Sequence, residues 1–376
     1  MKPYPPTERT EQPAMPAETP ATDSRTGLAS LASRAMRLFK RHKRLVQVVV
    51  LALIAVGLGS IVWKSWSRLS TYSWHVQWGL LVAGFALFVA QELSFAFIWR
   101  GILQRMGSRL DILSSQRIYL TAEFVRYIPG NVWHVITRVL LAEQRGVPKT
   151  TGFASMVIEL ATKLASGALV FALSLFFWSD LSTIGAGLPA SASSSTRGLV
   201  GSVSTLDFVV AGAVFTVLVL VGLQPRLLRG ALNLVMRKTG RDPVQFTLTY
   251  RDILVIALYW SLSWLVVGAG FYLLIQSLVS TPVPLVALPI AVGIYALGWD
   301  IGFVSFITPS GLGFREVAIA ILLTASLPGF ISADIAVVIA LLARLLSTGA
   351  ELLCIAGAHA VRGGASLPAP DPASQR

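Results

Sequence analysis

Between Phe303 and Glu316 an apolar run is broken at Pro309, loosened by Gly311 and Gly313, and closed by the adjacent charges Arg315 and Glu316. A new apolar run then begins. In a bilayer such a break is expensive, because proline withholds an amide and glycine loosens the ladder, leaving backbone groups that lipid cannot satisfy. It persists only where protein or a water-filled cavity surrounds it. The segment from Glu123 to Arg138 has the same build: an apolar approach, Pro129-Gly130, then polar residues. Two such breaks in corresponding positions point to a transporter-type site near the bilayer midplane.

Composition puts these breaks in a membrane. Hydrophobic residues make up 54% of the 376 and charged residues 13%, with a mean hydropathy of +0.69, far more apolar surface than soluble cores hide. The expected class is an all-α polytopic membrane protein. A net charge of +13 would suggest nucleic acid in a soluble chain. Here the Lys and Arg fall in short loops beside apolar spans, as the positive-inside rule requires, and form no patch with interleaved aromatics. No nucleic-acid partner is expected. The single cysteine, Cys354, excludes a disulfide framework. His42, His75, His134 and His359 lack metal spacing, and no nucleophile elbow occurs, so no metal, cofactor or catalytic motif is expected.

Residues 1–44 read as a disordered tail that turns densely basic from Arg34 to Arg44. The apolar run Leu45–Trp63 that follows is a first crossing rather than a signal peptide, since the polar tail before it is long and no small-residue cleavage site follows. Further crossings are expected at Trp78–Trp99, Gly152–Trp178, Leu206–Leu223, Asp252–Val279 and Asp334–His359. Basic loops flank Ile118–Leu141 on both sides, so a re-entrant hairpin obeys the charge rule where a crossing would break it. The segment Pro282–Pro328, with no basic loop at either end, reads as a second hairpin from the opposite side. A full crossing over 283–307 is the alternative. The expectation is therefore six crossings and two opposed hairpins, with the membrane domain over 45–360 and a short tail over 361–376. Both termini would be cytoplasmic in a cell inner membrane.

Pro129 and Pro309 lie 180 positions apart, as do Pro148 and Pro328, while Lys163 and Arg344 are 181 apart. The span holding Gly84 aligns loosely with one holding Gly268 to Phe271. Loop charge independently assigns the two broken segments to opposite sides, which makes this an inverted repeat with halves at about 78–223 and 252–359.

The pair Arg126-Tyr-Ile-Pro-Gly130 and Thr308-Pro-Ser-Gly-Leu-Gly-Phe-Arg-Glu316 resembles two motif segments of the lysylphosphatidylglycerol synthase/flippase transmembrane family. There an Arg-x-x-Pro-Gly element precedes a Pro-Gly-Gly-x-Gly-x-Arg-Glu element. The resemblance spans roughly residues 45–360. It implies that Arg126, Pro129, Gly130, Pro309, Gly311, Gly313, Arg315 and Glu316 form the central site. Ser310 stands where the family has glycine. Family members that make aminoacylated lipid append a large soluble acyltransferase domain, so this chain is expected to resemble the flippase half, and not an enzyme.

Charged residues inside spans need partners or water. Glu159 and Lys163, four apart with Glu first, suit an ion pair on one face, and Arg344 and Glu351, seven apart, share a face. They either lock helices together or line the substrate path. Glu92 and Asp300 lack a partner within a turn and are candidates for proton coupling, or for pairing with Arg126 and Arg315. Trp63, Trp66, Trp74, Trp78, Trp99 and Trp178 fall near span ends, as an interfacial belt would. The leading function is translocation of a phospholipid or polyprenyl-phosphate headgroup, its phosphate held by Arg126 and Arg315. Anionic lipids, envelope-synthesis enzymes and a second copy of the chain are the expected partners. An accessory or catalytic subunit of an envelope transferase, and a secondary transporter of a small organic anion, are the alternatives.

Overall fold

The computed structural model describes residues 76–125, 133–178, 205–238, 248–305 and 311–361, with the isolated positions Trp63 and Ser70. The expected first crossing, both tails, Arg126, Pro129, Gly130 and Pro309 lie outside the described residues.

The described chain is all helical. In order it forms α1 (Trp78–Arg105), α2 (Ile112–Val125), α3 (Trp133–Glu143), α4 (Lys149–Ser174), α5 (Thr205–Gly222), α6 (Pro225–Lys238), α7 (Tyr250–Leu278), α8 (Leu288–Val304), α9 (Phe314–Ser326) and α10 (Ala333–Ala360). Short 3-10 turns extend α4 and precede α8. Local chemistry sets the starts. Thr249 and Asp252 form a capping box at α7, with the Asp252 amide donating to Thr249 Oγ1 at 3.2 Å and the Thr249 amide donating to Asp252 Oδ2 at 2.9 Å. At α9 the Gly313 amide donates to Glu316 Oε2 at 2.7 Å.

Among the described residues, five helical stretches are long and apolar enough to cross a membrane: Trp78–Arg105, Lys149–Phe177, Tyr250–Leu278, Leu285–Val304 and Ala333–Ala360. Leu285–Val304, expected as a hairpin arm, thus has the length of a crossing, and 61% of its most apolar window is buried, the largest share of the five. By contrast α2, α3 and α9 have 14, 11 and 13 residues. At 1.5 Å per residue none exceeds about 21 Å, short of a hydrocarbon core of about 30 Å.

The pairings repeat. α1 packs on α2, α2 on α3 and α3 on α4, as α7 packs on α8, α8 on α9 and α9 on α10. Across the halves, α4 packs on α7 and α8, as α10 packs on α1 and α2. The equivalent helices α1 and α7 also pack on each other, and they run antiparallel. Gln77 N donates to Ser277 O at 3.0 Å, the Ser94 and Ser263 hydroxyls meet at 2.8 Å, and Arg105 lies 3.4 Å from Asp252. Between these contacts, a Cβ on Gly84 would fall 2.9 Å from Gly270 O, and one on Gly270 would fall 2.9 Å from Gly84 O. The repeated pairings and the antiparallel contact of α1 and α7 have the arrangement expected of an inverted pair, and neither glycine has room for a side chain.

Long-range contacts gather the basic loops at one end of the bundle. Besides the Arg105–Asp252 pair, Arg145 donates to Ser114 Oγ at 2.6 Å, Arg117 donates to Ala358 O at 2.8 Å, and Tyr250 donates to Leu220 O at 3.1 Å. The first interrupted segment accordingly starts and finishes at the same end. One expected loop is not a loop. The basic stretch after α5 forms α6, which Pro225 opens from the first helical position, where its missing amide costs nothing.

Candidate functional site

Each half buries a set of charges beside its interrupted segment. In the first half, Tyr119 and Glu123 lie one turn apart on α2, and Glu159 and Lys163 lie one turn apart on α4. Arg138 reaches from α3 between them. Its Nη1 lies 2.5 Å from Glu159 Oε2, its Nη2 pairs with Glu123 Oε1, and its guanidinium stacks 3.9 Å from the centre of the Tyr119 ring. Tyr119 donates to the other Glu159 oxygen at 2.7 Å. Trp99 closes the back of the cluster, donating to Ser155 Oγ at 3.0 Å. Arg138 is 1% exposed. A guanidinium forked between two carboxylates satisfies charges that would be very costly alone.

Lys163 acts on Glu159, as its spacing suggests, and also has aromatic partners. Both Glu159 oxygens are engaged by Tyr119 and Arg138. The Lys163 ammonium sits among three rings, 3.6 Å from the centre of Phe95, 4.1 Å from Trp299 and 4.8 Å from Trp260. Asp300 reaches this cluster from α8, where Lys163 is the cation that acts on it. Its carboxylate rests on the α4 backbone, and a Cβ on Gly167 would fall 2.6 Å from Asp300 Oδ2. A cavity of about 110 Å³ opens here, lined by Glu123, His134, Arg138, Glu159, Lys163 and Phe303. It holds a few waters and no complete lipid headgroup.

The second set lies across α8 and α1 from the first. The chain re-enters from the second break at Gly311, with φ of 67°, where a Cβ would fall 2.1 Å from Gly302 O. Gly313 follows with φ of 89°. Only glycine fits so close an approach in the left-handed region. Arg315 and Glu316, buried to 6% and 5% exposure, are thereby fixed at the first turn of α9. The Arg315 guanidinium lies over Tyr295, 4.7 Å from the ring centre. Glu316 spends one oxygen on the helix cap, and the other stands 3.9 Å from Arg344 Nε. Arg344 thus meets Glu316 from the neighbouring helix. Glu92 and Glu351 complete the set from α1 and α10. Glu92 acts on Tyr295 together with Arg315 and Arg344, and both carboxylates act on Cys354.

Sequence reasoning named all of Glu92, Glu159, Lys163, Asp300, Arg315, Glu316, Arg344 and Glu351 as candidates; the structure groups Glu159, Lys163 and Asp300 in one set and the other five in the second. Sequence reasoning missed Tyr119, Glu123 and Arg138 as a unit, although Glu123 and Arg138 bound the first broken segment. It also misplaced two tryptophans. Trp99 and Trp178 are 0% and 4% exposed, held by core packing and not by an interfacial belt.

The broken segments, the inverted halves and the buried charges define a membrane architecture, and a family model decides which. The model for the lysylphosphatidylglycerol synthase TM region matches residues 44–354. The chain belongs to that family. The match runs through both charge sets and every described helix from α1 to α9, so the lysylphosphatidylglycerol synthase TM region is the fold itself and not an appendage. No curated protein sequence matches the chain. Membership makes this a membrane-embedded protein with a lipid-related role.

Proposed function

We propose that this protein moves a phosphate-bearing lipid headgroup between leaflets through an arginine-lined site between its two halves, the acyl chains staying in lipid. One observation carries the reading. Arg315 is held nearly fully buried beside the second break, yet its Nη2 has no hydrogen-bond partner among the described residues. A buried guanidinium with an open donor is costly unless an acceptor arrives, and phosphate oxygens are its best geometric match. Arg126, one turn before the first break, would complete the clamp. The segments around Pro129 and Pro309 act as re-entrant hairpins, and both termini lie on the basic, cytoplasmic side of an inner membrane.

Each set contains three carboxylates and two cations: Glu123, Glu159 and Asp300 with Arg138 and Lys163, then Glu92, Glu316 and Glu351 with Arg315 and Arg344. The acidic excess of each gives a proton or a co-transported cation a place to balance charge when an anionic head arrives or leaves. Rocking of one half on the other about the Gly84–Gly270 contact would expose the site to alternate leaflets.

The test is flipping of tagged phosphatidylglycerol, aminoacylated phosphatidylglycerol and a polyprenyl phosphate in proteoliposomes. Movement of at least one well above protein-free vesicles is expected, and its loss in Arg315→Ala. If no lipid moves faster than in empty vesicles, the translocase reading fails.

A further inference from the structure

The helix that replaces the expected basic loop has its own chemistry. α5 exposes Val210, Val214, Val217, Leu218 and Val221, each between 46% and 62%, an apolar surface of the kind that faces lipid in a membrane protein. That surface ends at Val221. Only Leu223 and Gln224 separate α5 from α6, and the turn is tight, with Leu223 N donating to Val219 O at 3.0 Å and Gln224 N donating to Val221 O at 3.0 Å. α6 therefore starts where the lipid-facing surface stops, at the level of the bilayer boundary.

Three faces of α6 are distinct. Leu228 packs on the core cluster around Trp99 and Trp260, which fixes one face to the protein. Leu227 and Leu234, two turns apart, share a second face and are 53% and 55% exposed. Arg226 and Arg229 share a third, also exposed, roughly 120° around the helix from the leucines at 100° per residue. From Gln224 to Arg241 the sequence holds Arg226, Arg229, Arg237, Lys238 and Arg241 and no acidic residue. A second copy placed on this face would set like charges together, whereas an anionic lipid surface would not.

We propose that α6 lies along the basic face of the bilayer and docks on anionic phospholipid, its arginines among the headgroups and Leu227 and Leu234 below them. Each basic side chain near such a surface contributes about 1 kcal/mol, or roughly fivefold in affinity. The site is separate from both buried charge sets and does not depend on translocation.

The test uses the full chain in vesicles of phosphatidylcholine alone or with added phosphatidylglycerol. On a Cys354→Ala background, bimane is attached at Leu234→Cys, Leu227→Cys or Arg226→Cys. Brominated phosphatidylglycerol is expected to quench positions 234 and 227 while a water-soluble quencher does not reach them, and the label at 226 should show the reverse. Converting Arg226 and Arg229 to Gln should raise the phosphatidylglycerol fraction needed for half-quenching at 234 about fivefold per charge. Free access of the water-soluble quencher to 234 and 227 in phosphatidylglycerol vesicles would overturn the proposal. So would equal quenching by brominated phosphatidylcholine and phosphatidylglycerol, or disulfide cross-linking between copies at position 234.

Discussion

Arg138 and Arg315 occupy equivalent helices of an inverted repeat, α3 and α9, but their surroundings differ in kind. Arg138 is forked between Glu123 and Glu159 and covered by the rings of Tyr119 and Trp99. Arg315 has an aromatic ring beneath it and an Nη2 with no hydrogen-bond partner among the described residues, and Glu316 beside it stands at a long 3.9 Å from Arg344. The first arrangement pairs both Nη atoms of its guanidinium with carboxylates, only Nε lacking a partner among the described residues, and so acts as scaffold. The second is left incomplete next to a broken backbone, which is where a ligand has something to add. The general lesson is that a buried charge inside a membrane is not by itself a site. What matters is whether its hydrogen-bonding capacity is already used.

The sharpest way to break the comparison is Arg138→Ala. It strands two buried carboxylates and should cost about 3–5 kcal/mol, read as a large drop in Tm in detergent. Arg138→Lys should not restore it, because an ammonium cannot fork to both acids. Arg315→Ala should lower Tm by less than Arg138→Ala, because it strands no forked pair of carboxylates, while abolishing lipid movement. Equal Tm losses in the two variants would erase the distinction.

The halves can be probed at their contact next. Gly84→Ala or Gly270→Ala drives a methyl into the opposite carbonyl and should cost about 1–3 kcal/mol. The double variant should cost less than the sum, since both strain one contact. Lys163→Met removes a cation held by three rings and should cost about 1–2 kcal/mol by thermal melting, with Lys163→Arg recovering part of it. The smallest effect belongs to the exposed Lys149–Glu143 pair, at 2.9 Å and roughly half exposed on each side. Lys149→Ala should change stability by about 0–1 kcal/mol, and a larger loss would show that the basic end is more tightly built than its exposure implies.

Much of the fold was legible because bilayers leave few options. The all-helical membrane class and the crossings at Trp78–Arg105, Lys149–Phe177, Tyr250–Leu278 and Ala333–Ala360 follow from composition and apolar length, whereas the expected crossing Leu206–Leu223 corresponds on α5 only to the shorter apolar stretch Gly212–Gly222. What escaped depends on side-chain direction in three dimensions. Glu159 and Lys163 act on each other at four residues apart, but spacing does not show that Arg138 and Tyr119 also hold the carboxylate or that Phe95, Trp260 and Trp299 surround the ammonium. Trp99 looks interfacial by position, but α1 buries it against α4. The 20-residue stretch Leu285–Val304 carries no loop charge at either end, so charge counting cannot separate a hairpin arm from a crossing. Arg315, Glu316 and the glycines before them were legible for a local reason: a break that needs left-handed backbone can use little else.

The most direct measurement combines both readouts on the same preparations: Tm in detergent and flipping of tagged phosphatidylglycerol in proteoliposomes, for wild type, Arg138→Ala and Arg315→Ala. Arg315→Ala is expected to melt well above Arg138→Ala yet flip no faster than empty vesicles, while Arg138→Ala melts far lower. Arg315→Ala flipping at the wild-type rate with an unchanged Tm would contradict that expectation.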